Sequence, residues 1–418
     1  MLKVGETKTM NFEQTKKFLQ DKGQEGLLQY YDVLNGEQQQ KLLSAVGDMD
    51  WSFEDALKNP EDLSGVGSVI EPIDGLKIPQ IQEQKEGFFT VGKEAVQKGK
   101  VAAVLLAGGQ GTRLGSDAPK GAYNIGETKP LYIFEQQINN LLEVVKSCGA
   151  YVPLYIMTSE KNHEETVQFW KEHHYFSYPE SEIAFFKQEM SPATDFNGKI
   201  YLEERYLPAL SPNGNGGWFS SLRKAGLDKD MQKRGVEWIN IYAVDNVLQR
   251  IADPVFVGAT ILSKVNCGAK VVCKNRPEEK VGVLCLQDGK PSVIEYYELT
   301  EEMANQREKD GSLSYCYGVI LNYLFRLQTL NEIADTKIPV HIVKKKIPHL
   351  DENGQKVTPE TENGYKFETL VVDLVRHTGS VLPFEVEREK EFAPIKNKTG
   401  IDSVESAREL LKKNGVEL

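Results

Sequence analysis

Between residues 96 and 340, six short and almost uninterrupted apolar runs recur: VAAVLLA (101–107), VPLYIMT (152–158), EIAFFKQ (182–188), EWINIYAVD (237–245), KVVCK (270–274) and VGVLCLQ (281–287). Amphipathic stretches such as 131–146 and 164–172 lie between several of them. A strand that is apolar on both faces must be covered on both faces, and a helix between strands is the crossover that a parallel pair needs. The pattern predicts an α/β fold with a largely parallel sheet between helices. Ligands of such sheets collect beyond the carboxyl ends of the strands.

The flanks read differently. Residues 1–95 are expected to be helical, because Phe12, Phe18, Leu19, Leu27, Leu28 and Tyr31, then Leu42, Leu43 and Val46, recur at three- and four-residue intervals. Gly36 reads as a stop between two such helices. Residues 59–85, with Pro60, Gly65, Gly67, Pro72, Gly75 and Pro79, read as a punctuated connector. Residues 341–418 read as a helix (Phe367–Arg376), a strand (Val381–Glu387), a basic loop with Lys396 and Lys398, and a closing helix in which Val404, Ala407, Leu410 and Leu411 share a face. Three consecutive stretches follow: a helical region 1–95, a central domain 96–340 and a small α+β region 341–418.

Fifty Lys and Arg against 61 Asp and Glu leave the 418 residues at a net charge of −11. A chain this acidic has no global attraction for nucleic acid or anionic lipid, so a site for a polyanion must be a local cluster of positive groups. The longest fully apolar run, Val101–Ala107, is far short of the roughly 20 residues a membrane helix needs. The first 20 residues lack the apolar core of a secretory signal, so a cytoplasmic location is the expectation. Five widely spaced cysteines without a CxxC pair indicate neither a disulfide framework nor a zinc site. Cys267, Cys273 and Cys285 read as buried free thiols.

The strongest local signal is LLAGGQGTRLG (105–115), directly after an apolar strand. Its glycines let the backbone approach a ligand closely and turn N–H groups toward phosphate oxygens or a base edge. A dinucleotide fingerprint needs glycine where Leu114 stands, and a Walker loop needs GK[ST], which is absent. What distinguishes the turn is basic: Arg113 follows the glycines and Lys120 comes seven residues later. Fixed cations beside such a cradle suit the charge that builds on a polyphosphate in a transition state. The plainer reading is a strand-to-helix turn with two solvated side chains, which does not need Arg113, Pro119 and Lys120 in this order.

LLAGGQGTRLG followed by Pro119-Lys120-Gly121 closely resembles the sequence of eukaryotic UDP-N-acetylglucosamine pyrophosphorylases and related UDP-sugar pyrophosphorylases. The likeness continues through FKQEM (186–190), PNGNGG (212–217), VDN (244–246), EY (295–296) and FAPIKN (392–397). It implies a Rossmann-like nucleotide-diphospho-sugar transferase fold (GT-A-like) and a reaction in which a sugar 1-phosphate attacks the α-phosphorus of UTP and releases pyrophosphate. It implies that Arg113 and Lys120 clamp the triphosphate and that Gly108 and Gly109 approach the uridine. Gln188 would read the uracil edge, and Gly214 and Asn215 would complete the nucleotide pocket. Asp245 would hold Mg²⁺ (or Mn²⁺) or the ribose, Gly282 and Glu295 would face the sugar, and Lys396 would reach the sugar phosphate. UTP and a sugar 1-phosphate are thus the implied partners, with no nucleic acid or membrane, and the chain a monomer or weak homo-oligomer.

Taken without the resemblance, Gln188 could equally bond to backbone, NGNGG could be an ordinary turn, Asp245 could cap a helix, and Glu295 and Lys396 could be solvated. Two departures stand out. N-acetylglucosamine enzymes of the family carry Asn-Ala-Gly-Asn-Ile where this chain has Cys316-Tyr317-Gly318-Val319-Ile320. Val319 cannot supply the hydrogen bond of an amide, so either Tyr317 or Asn322 replaces it or the sugar differs. Family members also usually continue for about one more domain past the helix that closes near Lys413, whereas this sequence stops at Leu418.

Overall fold

The computed structural model describes residues 10–58 and 68–418. A ten-stranded sheet is built from β1 (Ile70–Glu71), β2 (Val101–Leu106), β3 (Leu154–Thr158), β4 (Ile183–Lys187), β5 (Trp238–Ala243), β6 (Cys267–Cys273), β7 (Val283–Gln287), β8 (Lys290–Ile294), β9 (Tyr317–Arg326) and β10 (Val381–Glu385). Its main path runs β1-β7-β9-β5-β2-β3-β4, with β6 pairing to β9 and β10, and β8 to β7. β2 is buried at all six positions, as a strand covered on both faces must be.

The parallel part is β5-β2-β3-β4, together with β6-β10. The remaining pairings are antiparallel, so the sheet is mixed rather than largely parallel. Two features cause this. β7 and β8 form a hairpin through Asp288 (φ 52°) and Gly289 (φ 72°), both left-handed as a tight hairpin turn requires. β9, a ten-residue strand absent from the six apolar runs, lies antiparallel between β5 and β6.

Other expectations shift locally. Gly36 opens a helix, Gly36–Asp48, rather than closing one: the Asn35 side chain accepts from Gln38 N–H and caps it. The connector contains a helix, Ile78–Glu83, which tolerates Pro79 in its first turn; its part 59–67 lies outside the described residues. Phe367 belongs to a strand, Gly364–Glu368, and the helix after it starts at Val371.

The chain folds into two compact units, each interleaved along the sequence. One takes in described residues of Met1–Leu63 with Gln188–Lys224 and Lys337–Val371. Its core is formed by Leu19, Leu42, Val46, Phe53 and Phe367, beside a three-stranded sheet of His341–Lys345, Gly364–Glu368 and Thr194–Asp195. The other takes in Ser64–Lys187, Ala225–Thr336 and Val372–Leu418 and holds the ten-stranded sheet. Among the described residues no helix is long and apolar enough to cross a membrane.

Candidate functional site

β2 ends at Leu106 and the chain enters the glycine turn, which folds back on itself. Gly111 N–H donates to Ala118 O (3.0 Å) and Lys120 N–H to Gly109 O (3.1 Å), so Lys120 returns to the start of the turn. Fully buried Asn162 clamps it: its Nδ2 donates to Ala107 O (2.9 Å) and Gly109 O (3.3 Å). Three glycines have distinct reasons. A Cβ on Gly111 would stand 3.1 Å from Ser116 Cβ, and one on Gly121 would stand 2.2 Å from the Phe134 ring. A Cβ on Gly109 would meet no protein atom within 4 Å. Packing excludes a side chain at 121 and crowds one at 111; at 109 glycine instead leaves room beside exposed backbone for a ligand. Arg113 lies exposed in the single turn Thr112–Leu114, which buried Leu114 anchors.

At the carboxyl end of β5, the FAPIKN loop is stitched to the VDN corner. Ile395 N–H donates to Asp245 O (2.9 Å) and Val247 N–H to Ala393 O (3.3 Å). The Asn246 side chain serves this joint, accepting from Ala393 N–H (2.9 Å) and donating to Glu391 O (2.8 Å). Gln137, from the helix Ile133–Cys148, donates to the carbonyls of Ala243, Val244 and Asn246. Lys270 is wholly buried nearby, with Nζ 2.5 Å from Glu391 Oε2 and 3.4 Å from Asp253 Oδ2. Burial pushes the Asp253 carboxyl up, yet Lys270 and Arg250 outweigh it and hold the group below the usual carboxylate range.

Charge converges on this end of the sheet. Burial drives Lys120 below the ordinary lysine pKa; the Asp245 carboxylate opposes that shift, and the like charges of Arg113 and Lys396 add to it. Arg113, Lys396 and Asp245 therefore all lie within reach of the Lys120 charge. Lys396 pairs with Asp402 at 2.9 Å. Among the described residues no group of three or more His, Cys, Asp or Glu stands together as a metal site. A single carboxylate suits Mg²⁺, which keeps most of its coordination for water and substrate phosphates.

Gly282 and Glu295 also come together. A Cβ on Gly282 would lie 3.0 Å from Val293 Cγ1, 3.6 Å from Glu295 Oε1 and 3.6 Å from Val319 Cγ2. Val319 N–H donates to Gly282 O (3.0 Å). Asn322 cannot replace an amide at 319: it is fully buried, accepts from Asn240 Nδ2 (2.8 Å) and donates to Gln249 Oε1 (3.3 Å). Tyr317 is buried and lines a cavity with Asp74 and Lys77.

Gln188, Gly214 and Asn215 belong to the other unit. Gln188 Nε2 donates to Gly214 O (2.5 Å), the backbone bond that the plainer reading foresaw for this side chain. It keeps one N–H and its carbonyl oxygen for other partners. Gly214 has φ 87°, and a Cβ there would stand 2.1 Å from Thr369 O. Asn215 Oδ1 accepts from Val371 N–H (2.9 Å) and pins the loop. Sequence reasoning missed Asn162, Gln137, Lys270 and Glu391. They lie on other elements, and only the fold brings them under the site.

A glycine turn after a parallel strand, with basic side chains near a strand-end acid, is the arrangement that an α/β nucleotide-binding fold presents to a polyphosphate. Residues 70–417 match the UTP–glucose-1-phosphate uridylyltransferase family, and the chain belongs to it. It is 38% identical over 404 residues to UDP-N-acetylhexosamine pyrophosphorylase-like protein 1 of Mus musculus, covering 91% of this chain and 79% of that protein. It is 35% identical over 421 residues to UDP-N-acetylglucosamine pyrophosphorylase of Saccharomyces cerevisiae, covering 94% and 88%. The crystal structure of uridine diphosphate N-acetylglucosamine pyrophosphorylase from Trypanosoma brucei in complex with inhibitor is similar at a TM-score of 0.82 and 28% identity, covering 98% of this chain and 85% of that one.

Proposed function

We propose that this chain is a uridylyltransferase that forms UDP-N-acetylglucosamine and pyrophosphate from UTP and N-acetylglucosamine 1-phosphate. The observation that carries the reading is that Asp245, Arg113 and Lys396 all lie close enough to the largely buried Lys120 to act on its charge, at the strand ends of an acidic protein. A phosphate oxygen of the sugar 1-phosphate is already an anion near neutral pH, so it attacks the α-phosphorus without a general base. The P–O bond to the β-phosphate breaks as the new one forms, and pyrophosphate leaves. What remains for the protein is to hold two polyanions in line and neutralise the leaving group.

Arg113 and Lys120 grip the triphosphate and the departing pyrophosphate. Lys396 exchanges Asp402 for a sugar-phosphate oxygen. Gly108 and Gly109 present backbone to the uridine, and Gln188, Gly214 and Asn215 hold the base. Gly282 and Glu295 receive sugar hydroxyls. Asp245 holds Mg²⁺ or Mn²⁺, which supplies positive charge to the phosphates when bound. The domain roles follow: residues 96–340 carry catalysis, 341–418 supply the phosphate loop and 1–95 support. A cytoplasmic monomer or weak homo-oligomer fits the acidic chain and its substrates.

One observation favours a second reading, the same transfer onto glucose 1-phosphate or several sugars: Val319 places an apolar group beside Gly282 and Glu295, and Asn322 is committed elsewhere. Pyrophosphate release with UTP, Mg²⁺ and a panel of sugar 1-phosphates tests both. Highest kcat/KM for N-acetylglucosamine 1-phosphate supports the first and equal or higher values for glucose 1-phosphate the second. Absence of turnover with every sugar defeats both; tight UDP-sugar binding without pyrophosphate exchange would then favour a non-catalytic UDP-sugar-binding protein.

A further inference from the structure

Two nucleophilic groups have no part in this chemistry and lie against each other. Cys273 ends β6 and is paired in register with Tyr317 at the start of β9, so Cys316 sits diagonally across from it. A neighbour one residue off register is separated by the strand spacing of about 4.7–4.9 Å and a rise of about 3.3 Å along the strand, which together stay inside the roughly 4.4–6.8 Å span of Cα atoms that a disulfide bridges. Cys316 does not follow the alternation of β9. The Gly318 N–H donates back to its carbonyl (2.9 Å) in a tight turn, and Lys274 N–H donates to the same oxygen (2.8 Å). The Cys316 thiol consequently lies close enough to Cys273 for each sulfur to shift the titration of the other. Both thiols are free.

We propose that Cys273 and Cys316 form a reversible dithiol–disulfide pair, a modification site at which a peroxide or a small-molecule disulfide cross-links the end of β6 to the start of β9. The two are not equivalent. Hydrogen bonding from Cys316 lowers the Cys273 pKa most; burial and Glu385 oppose it, and Lys77 and Arg388 add to it. Cys273 is also the more exposed of the two. It is the attacking thiolate. Cys316 is 5% exposed but borders a cavity of about 330 Å³ lined also by Asp74, Lys77, Leu313 and Tyr317, wide enough for a small oxidant. With hydrogen peroxide, the Cys273 sulfur takes one oxygen as the O–O bond breaks, giving a sulfenic acid and water. The Cys316 sulfur then displaces that oxygen: the S–S bond forms, the S–O bond breaks, and the thiol proton leaves with the hydroxyl as water. Two sulfurs are oxidised by one electron each, and the peroxide takes both.

The full chain, treated with hydrogen peroxide or oxidised glutathione, alkylated with N-ethylmaleimide and digested without reductant, is the test. The expected result is one peptide pair linked through Cys273 and Cys316, lighter by two hydrogens than the separate peptides and lost on dithiothreitol treatment. Alkylation of both residues falls together, whereas Cys148, Cys267 and Cys285, at most 1% exposed, stay reduced. In Cys316→Ser the reaction halts at the first step, and dimedone labels Cys273. Full alkylation of both cysteines after oxidant, or oxidation of Cys273 to a glutathione adduct or sulfinic acid with no link to Cys316, overturns the proposal. Neither outcome depends on turnover.

Discussion

Gly109 and Gly111 stand two residues apart in one turn, yet their glycines have different causes. Gly111→Ala drives a methyl to 3.1 Å from Ser116, whereas Gly109→Ala meets nothing of the protein. We therefore expect Gly109→Ala to leave stability within about 0.5 kcal/mol while lowering UTP affinity at least tenfold by titration calorimetry; unchanged affinity would remove the turn from the nucleotide site. Lys120 makes a pH prediction. A lysine lowered by burial and by like charge loses its proton earlier as pH rises, so the alkaline limb of kcat/KM lies below the ordinary lysine value of about 10.4. Lys120→Arg keeps its charge to above pH 12 and should remove that limb while lowering kcat. If the limb stays where it was, another group causes it. The same shift makes stability rise with pH between the folded and unfolded values, because in that window the unfolded chain binds the proton more tightly.

The loop that carries Lys396 owes its place to buried charge beneath it. Lys270 joins Glu391, at the start of the loop, to Asp253, which caps the helix Pro254–Leu262. Lys270→Met removes the buried cation that bridges Glu391 and Asp253 and leaves only Arg250 to offset them, a change that typically costs about 3–5 kcal/mol. Chemical denaturation should show a loss of that order, with the midpoint lowered. A loss under about 1 kcal/mol would mean that water already reaches the triad.

Interleaving of the two units sets what can be removed from the whole molecule. A chain cut after Thr336 loses two strands of the three-stranded sheet in one unit, and β10 with the FAPIKN loop in the other. We expect it to lack cooperative unfolding and UTP binding, by circular dichroism and calorimetry. A folded, UTP-binding fragment 1–336 would show that the segments after residue 336 are dispensable to both.

Local chemistry made much of this legible. VAAVLLA had to be a covered strand because apolar residues on both faces cannot meet water, and three glycines with Arg113 and Lys120 behind it marked the turn as the candidate site. Phe367 was misassigned because a strand and a helix abut at Glu368–Val371 in one apolar stretch, and period alone does not separate them. The mixed sheet followed from β9, whose YGVILNYLFR was not read as a strand, and from an Asp-Gly turn. Only the tertiary structure decided that Asn162 clamps the glycine turn, that Asn246 is a joint, and that Lys270 and Glu391 underlie the phosphate loop. Those groups act across separations of about 50 to 145 residues. A sequence records what each residue can bond; which distant group it does bond is fixed when the sheet brings them within 3 Å.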